Sequence, residues 1–202
     1  MGTKERRERE ERARLAVIIK AAESVFAEKG YHYARMDDIA EAAELAKGTL
    51  YYYFKSKDEI YFHLLEREMR KVHEGLLRRI SDTETFLEIL EKWTEFYLDY
   101  FDENVAYLKM FLPTLCGGFR PEGSSALWKL VRKNEKAREL KKILKARIVA
   151  EGLPFGFEEI IKFLKTLQIG IGFKLLEGNK AEARAAARFF LDLMKRIVED
   201  RS

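Results

Sequence analysis

The stretch Ala46-Lys-Gly-Thr-Leu-Tyr-Tyr-Tyr-Phe-Lys-Ser-Lys57 contains three lysines and three tyrosines but no acidic residue. Acidic residues are frequent elsewhere in the chain, which has 34 of them, so this absence is local. Leu50 and Phe54 are four positions apart and therefore share one face of a helix. The other positions would present positive charge and hydrogen-bond donors outward. The pattern predicts a short helix that binds DNA.

Two more helices are predicted before this stretch. Apolar residues recur at intervals of three and four from Leu15 to Phe26. Gly30 is expected to end that helix, because the residue beyond the last turn often takes a positive φ. A shorter helix is expected from about Asp37 to Ala43, with two aspartates in its first turn. Three short helices with a tight turn before the third are typical of a helix-turn-helix domain.

Five ordered motifs in this region resemble those of one known family. They are Ile19-Lys-Ala-Ala-Glu-Ser-Val-Phe26, Lys29-Gly30-Tyr31, Asp38-Ile39-Ala40, Lys47-Gly48-Thr49-Leu50-Tyr51-Tyr52-Tyr53-Phe54 and Ser56-Lys57. Together they resemble the N-terminal domain of the tetracycline-repressor (TetR/AcrR) family. The resemblance implies a regulator, most often a repressor, that binds a pseudo-palindromic double-stranded DNA operator as a homodimer and responds to a small-molecule effector.

The resemblance also implies which residues contact DNA. Tyr51 and Tyr53 match positions that contact backbone phosphates, and phenol hydroxyls are good donors to phosphate oxygens. Residues 47–49 and Tyr52 match positions at or near the major groove. The predicted DNA-binding residues are Arg35, Ala46, Lys47, Gly48, Thr49, Tyr51, Tyr52, Tyr53 and Lys57.

Lys57 enters this set through the start of the next helix. Ser56-Lys57-Asp58-Glu59 is typical of a capping box, with Ser56 as the cap of a long helix that continues to about Ile80. Free backbone N–H groups at a helix start favour an anion. We therefore expect Lys57 to contact a DNA phosphate.

The sequence departs from the family pattern at two places. Glu44 stands where the family usually has glycine, and Arg35 and Met36 stand where it usually has threonine. A left-handed backbone at Glu44 would cost on the order of 1 kcal/mol. Either the turn differs from the family's, or packing offsets that cost. Arg35 is expected to supply a phosphate contact in place of the missing threonine.

The remainder of the chain also has helical periodicity. Helices are expected at about 84–102, 105–116, 124–151, 158–177 and 180–200, and no strand pattern is present. The prediction is an all-α protein, with a DNA-binding domain at 1–57 and a larger ligand-binding and dimerisation domain at 58–202. Residues 1–14 are almost wholly charged. They are interpreted either as a solvated tail or frayed helix start, or as a basic arm that touches DNA.

Aromatic residues are numerous in the second domain, and core packing explains most of them. The resemblance implies a cavity among these helices, and the aromatic content favours an apolar or aromatic effector. The candidate pocket residues are Trp93, Tyr97, Tyr100, Phe111, Cys116, Phe119, Trp128, Phe163 and Gln168.

The last two helices are expected to form the dimer interface, because the family pairs them into a four-helix bundle. The candidate interface residues are Leu164, Leu167, Ile171, Phe190, Leu193 and Ile197. Gly170-Ile171-Gly172 removes bulk within the first of these helices, which predicts a close helix neighbour there, either from the same chain or from a second subunit.

Composition limits the remaining function classes. The net charge of +4 is too small to indicate a nucleic-acid-binding protein by itself. The positions of the charged residues along the chain must therefore show whether it binds nucleic acid. The single cysteine excludes an internal disulfide, and no apolar run is long enough to span a membrane. Together these two features predict a cytoplasmic protein. The high charge with few Asn, Gln and Cys resembles a thermophile's composition.

Catalysis finds little support in the sequence. The three histidines lie in no recognised nucleophile motif, and Cys116 has no evident partner. No catalytic residue, metal site or cofactor is predicted. Two alternatives to the ligand-responsive regulator are a DNA-binding regulator without an inducer and a helical enzyme or carrier.

Overall fold

The computed structural model describes residues 3–80, 84–115 and 134–199, and helices are the regular elements of all three segments. The prediction of an all-α protein is confirmed, with no strand in these segments. The helices, in chain order, are α1 (Thr3–Tyr33), α2 (Met36–Ala42), α3 (Lys47–Tyr53), α4 (Lys57–Leu77), α5 (Phe86–Glu103), α6 (Val105–Leu115), α7 (Glu135–Ala150), α8 (Phe157–Leu176) and α9 (Lys180–Glu199).

Helix α1 begins earlier than its apolar pattern predicts. It starts at Thr3, so the charged segment is helical, and Arg6 and Glu10 form an i,i+4 ion pair of 2.8 Å on its surface. Gly30 takes the expected positive φ, 70°, with a non-helical ψ of 164°, so the regular helix breaks there as predicted and a short further turn reaches Tyr33. A glycine can adopt this conformation without the steric cost that a Cβ would impose.

The start of α4 confirms Ser56 as the helix cap. The Ser56 hydroxyl oxygen accepts the backbone N–H of Glu59 at 3.3 Å. The Glu59 carboxylate accepts the N–H of Lys55 at 2.7 Å, so the second bond of the predicted capping box falls one residue early. Both bonds satisfy backbone donors that the helix itself leaves unpaired.

Two hydrophobic clusters form the core, and α4 contributes to both. The first cluster joins α1–α3 to the start of α4, the end of α5, α6, and the neighbouring parts of α8 and α9. The second cluster joins the end of α4 to the start of α5, to α7, and to the remaining parts of α8 and α9. Leu64 and Leu65 lie in the first cluster and Leu76 in the second. The chain therefore passes from the helix-turn-helix into the second cluster through α4, and α1 also packs directly against α6.

A buried carboxylate fixes α4 against two of its neighbours. Glu68 of α4 is only 3% exposed and accepts hydrogen bonds from Lys71 at 2.5 Å, Tyr100 of α5 at 2.6 Å and Arg67 at 2.9 Å. Arg67 also pairs with Glu23 of α1. Burial opposes the ionisation of Glu68, but these donors hold its pKa below the ordinary value. The network links α1, α4 and α5 through one anion.

Two glycines allow close helix packing. A Cβ on Gly75 of α4 would lie 2.6 Å from Cζ of Phe96 on α5, and a Cβ on Gly172 of α8 would lie 3.0 Å from Leu112 of α6. The close neighbour predicted for the glycine pair of α8 is thus α6, and it packs against Gly172 alone. Gly170 faces open space, where an added Cβ would meet no described atom within 4 Å.

Substituting Gly75 by alanine is expected to destabilise the protein, because the added methyl group overlaps the Phe96 ring. Overpacking of this kind costs about 1–3 kcal/mol of the free energy of unfolding. The matched control is Gly170→Ala, which adds the same methyl group to a helix where space is open and is expected to be neutral or stabilising by up to ~1 kcal/mol. Urea denaturation followed by circular dichroism measures both, and equal effects would contradict the packing argument.

Candidate nucleic-acid interface and cavity

Helix α3 is held by two buried side chains and presents the opposite face outward. Leu50 and Phe54 are buried in the first cluster, as the four-residue spacing predicted. Tyr52 is 66% exposed, and Lys47 and Gly48 are also exposed. The helix therefore offers a cation, a gap without a side chain and a phenol on one surface. These are suitable groups for a DNA groove and its phosphates.

The other predicted contact residues differ in exposure. Ala46 is the exposed N-cap residue of α3, Arg35 precedes α2 and is exposed, and Tyr51 is partly exposed. Thr49 and Tyr53 are half-buried, and Tyr53 packs against the first cluster. These positions all lie on or beside the surface that α2 and α3 form.

The turn before α3 keeps a left-handed residue at Glu44, with φ of 53°. Of the two alternatives open from the sequence, the turn therefore retains the conformation that favours glycine. The N–H of Leu45 donates to the Ala40 carbonyl at 2.9 Å and that of Glu44 to the Glu41 carbonyl at 3.0 Å. This pair of bonds closes the end of α2 as a Schellman motif, and it offsets the cost of about 1 kcal/mol expected for a side chain there.

The two aspartates that begin α2 each hold a lysine of this surface. Asp37 accepts a hydrogen bond from Lys47 Nζ at 2.6 Å, and this bond raises the pKa of Lys47. Asp38 pairs with Lys29 at 3.0 Å and also accepts the N–H of Arg35 at 2.8 Å. The hydrogen bond from Lys29 lowers the pKa of Asp38. The predicted base-contacting lysine is thus paired with a carboxylate in the free protein.

Lys57 has a different role from the one predicted. Its ammonium donates to the carbonyl oxygens of Tyr31 at 2.9 Å, His32 at 3.2 Å and Ala34 at 3.1 Å, and it lies over the Tyr31 ring. These carbonyls belong to the short turn that follows the kink at Gly30 and to the connection between α1 and α2. The side chain therefore joins α4 to α1 and is not directed at a DNA phosphate in this structure.

The charged start of α1 lies beside helix α3. A groove separates this segment from α3, and it is lined by Glu8, Glu11, Arg12, Leu15, Tyr52 and Tyr53. The arm therefore brings both signs of charge to the edge of the candidate DNA surface. DNA contact by the arm stays a prediction.

A cavity of about 240 Å³ lies among α4, α5, α6, α7 and α8. Its walls are mainly apolar, with His73, Lys141, Lys165 and Gln168 among the polar members. The complete lining is Met69, Val72, His73, Leu76, Trp93, Phe96, Tyr97, Phe101, Tyr107, Ala137, Leu140, Lys141, Leu144, Phe157, Ile161, Leu164, Lys165 and Gln168.

Three of the predicted pocket residues, Trp93, Tyr97 and Gln168, line this cavity. Tyr100 does not, because its hydroxyl is directed at Glu68. Phe163 is half exposed on another face of α8, where it stacks on Phe190, so its assignment to the pocket is wrong. Phe111 belongs to α6, but its side chain lies outside the described part of the structure. Cys116, Phe119 and Trp128 lie outside the described residues.

Sequence reasoning missed most of the aliphatic and charged lining. Leu140 and Leu144 follow the four-residue apolar spacing of α7, which indicates an inward face but not a cavity. His73 and Lys165 have no distinguishing motif, and no sequence pattern places them beside a cavity. Their shared position depends on how the helices pack.

The predicted dimer residues separate into two groups. Leu164, Ile171 and Phe190 are buried in the chain's own core, which leaves little of their surface for a second copy to contact. Leu164 in particular lines the cavity. Leu167 is half-buried, whereas Leu193 and Ile197 are exposed. Three further aromatic residues of α8 and α9 are exposed, namely Phe163, Phe173 and Phe189.

Within the described residues, no group of three or more His, Cys, Asp or Glu is arranged to hold a metal ion. No helix in that part of the chain has the length and hydropathy needed to cross a membrane.

Comparison with known proteins shows which family the helix-turn-helix segment resembles. Residues 18–64 match the model of the tetR family of bacterial regulatory proteins. The HTH-type transcriptional activator FasR of Mycolicibacterium smegmatis is 33% identical over 91 residues, which are 45% of this chain and 42% of that protein. The fatty acid metabolism regulator protein of Bacillus subtilis is 37% identical over 82 residues, 41% of this chain and 42% of that protein. The chain thus aligns with less than half the length of these two curated relatives.

A solved structure extends the likeness over the whole fold. The transcriptional regulator FadR of Bacillus subtilis, in complex with stearoyl-CoA, superposes with a TM-score of 0.69 and covers 91% of this chain and 97% of its own. The two sequences are 20% identical, so this match supports the fold.

Replacing Lys47 by alanine is expected to weaken binding to a duplex that the protein selects from a random pool by about tenfold or more, since one base contact contributes about 1–3 kcal/mol. Fluorescence anisotropy measures the affinity. The control is Lys142→Ala, which removes an exposed cation from α7. Equal losses in the two variants would contradict the assignment of α3 as the reading helix.

Proposed function

We propose that this chain, whose residues 18–64 match the model of the tetR family of bacterial regulatory proteins, is a ligand-responsive transcriptional repressor that binds a pseudo-palindromic operator as a homodimer. The family consists of DNA-binding regulators and not of enzymes. The observation that carries the proposal is the geometry of α3, with two buried anchors on one face and Lys47, Gly48 and Tyr52 exposed on the other. Residues 1–57 are assigned to DNA binding, and 58–202 to sensing and dimerisation.

The DNA arrangement follows from symmetry. Two copies of α3 in a dimer would enter successive major grooves about one helical turn apart, so the operator has two inverted half-sites. Selection of bound sequences from a random duplex pool tests this directly. Recovery of no inverted repeat would contradict the dimeric repressor.

A stripe of exposed apolar side chains on α9 supports the dimer. Phe189, Leu193 and Ile197 recur at intervals of four, so they share one face of the helix, and all three are exposed in the single chain. Phe163 and Phe173 are exposed on the adjacent helix α8. Several exposed apolar side chains on two adjacent helices are typical of an interaction site, and a second copy of α8 and α9 would cover them.

A charge in this stripe is expected to prevent dimerisation. Phe189→Glu places a carboxylate at a position that is 71% exposed in the chain, so the monomer should fold normally while the interface loses an aromatic contact and gains a desolvated charge. Analytical ultracentrifugation is expected to give a monomer at micromolar concentration. Val149→Glu on α7, at a position 80% exposed, is the control and should remain dimeric. If the Phe189→Glu variant remained dimeric, the dimer interface would have to lie on another surface.

The cavity supports an amphipathic effector with an anionic head and an apolar chain. Aliphatic and aromatic side chains form most of its wall, and Lys141 and Lys165 supply positive charge. Lys141 is 3.3 Å from Glu158, whereas no carboxylate of the described residues forms an ion pair with Lys165. One relative is named as a fatty acid metabolism regulator and one structural neighbour contains stearoyl-CoA, which agrees with an acyl ligand.

The route from cavity to DNA surface passes through α5 and α4. Phe101, a cavity residue, contacts Tyr100, with ring centres 5.4 Å apart. The Tyr100 hydroxyl binds Glu68, whose partner Arg67 pairs with Glu23 of α1. A ligand that repositions α5 would therefore change the contacts that hold α1. The ligand can release DNA only if it binds the non-DNA-binding arrangement more tightly.

Charge reversal at the cavity wall is expected to weaken binding of an anionic ligand. Lys165→Glu should reduce the affinity for dodecanoate about tenfold, or 1.4 kcal/mol, while the affinity for its uncharged methyl ester changes little. Quenching of tryptophan fluorescence, to which the cavity residue Trp93 contributes, measures both. The control is Lys162→Glu, an exposed residue of α8 that does not line the cavity. Equal losses for acid and ester would contradict an anionic head group at Lys165.

The sign of the regulation is read from a reporter gene. A repressor lowers expression from a promoter that overlaps the selected operator, and the ligand restores it. One relative is named an activator, so increased expression upon adding the protein would reverse this part of the proposal.

A further inference from the structure

We infer that Asp37 is a specificity-determining residue. It forms an ion pair with Lys47 in the free protein and so limits binding to non-operator DNA. The inference rests on the proposed DNA-binding function and concerns the same surface. Asp37 lies in the first turn of α2, ten residues before Lys47, and the Oδ2 to Nζ distance is 2.6 Å. Both side chains are more than half exposed, so the pair lies on the protein surface rather than in the core.

The partner of Lys47 distinguishes it from the two other lysines of the 46–57 stretch, Lys55 and Lys57. Lys55 donates to the backbone carbonyl of Tyr51, and Lys57 donates to three backbone carbonyls at the end of α1. Those bonds complete the ends of helices and serve the fold. The Asp37 carboxylate instead offers Lys47 an oxygen acceptor with the charge of a phosphate group, on the face that would meet DNA.

This pairing affects the two kinds of DNA complex differently. Non-operator DNA is held by contacts between cations and phosphates, whose number sets both the affinity and its dependence on salt. A lysine already paired with Asp37 adds little to such a complex, and the carboxylate repels the phosphates. An operator offers Lys47 a base edge in the major groove, which is a more directional acceptor than a phosphate. Asp37 therefore keeps Lys47 from contacting non-operator DNA, whereas in the operator complex Lys47 leaves Asp37 and contacts a base.

The variant Asp37→Asn tests the inference, because it keeps the side-chain shape and removes the charge. On a duplex of random sequence its affinity is expected to rise about fivefold at low salt, and the plot of log affinity against log salt should become steeper by about one. Affinity for the selected operator should rise less, so the preference for operator narrows. Fluorescence anisotropy at several salt concentrations gives all these quantities, and circular dichroism checks that the variant is folded.

Two further variants separate this role from a general effect of charge. Glu41→Gln removes one exposed carboxylate from the same helix and should change the affinity for random duplex less than Asp37→Asn. In the background Lys47→Ala, the substitution Asp37→Asn should have no larger effect than Glu41→Gln, because no lysine remains to be released.

An Asp37→Asn effect that matches Glu41→Gln, or that persists without Lys47, would overturn the inference while leaving the proposed function intact. A wild-type protein that selects no sequence from the random pool would overturn the proposed function, and this inference with it.

Discussion

The burial of the Glu68 carboxylate constrains how the two parts of this protein meet. An ionised group in the interior must be surrounded by donors, and here they come from α4 itself and from Tyr100 of α5. Arg67 extends the network to Glu23 of α1. Hydrophobic packing fills the space around these helices, and this network adds directional contacts among α1, α4 and α5. The position of the helix-turn-helix relative to the cavity therefore depends on the polar network together with apolar packing, including that of α1 against α6.

On the candidate DNA surface too, charged side chains are paired with groups of the same chain. The net charge of +4 is spread over 38 basic and 34 acidic residues, so total charge does not identify a DNA-binding protein. Asp37 and Asp38 each hold a lysine, and the end of α1 holds Lys57. Most lysines of this surface thus already have an acceptor in the free protein. In the proposed complex, DNA competes with these acceptors for the lysines, and we expect this competition to favour selectivity over affinity.

The sequence predicted helices more reliably than the surroundings of side chains. The periodicity of α3 identified Leu50 and Phe54 as anchors, and the serine cap located the start of α4. Both depend on interactions within a few residues, which a sequence pattern records directly. The lining of the cavity was predicted less well, and the dimer interface stays a prediction. Phe163 and Leu164 are neighbours on α8, yet the first faces outward and the second lines the cavity, the reverse of what was predicted.

By itself, the sequence determined the all-α fold, the order of the helices, the two anchors of α3 and the family that the first domain resembles. These features follow from helical periodicity, capping residues and motif spacing, which are local properties. Only the tertiary structure decided that Lys57 donates to backbone carbonyls near the end of α1, that Glu44 has a left-handed backbone and that Asp37 forms an ion pair with Lys47. It also decided which face of α8 lines the cavity. Neighbouring positions on a helix point about 100° apart, so the choice between them depends on which other helices pack there, and that is a contact between distant parts of the chain.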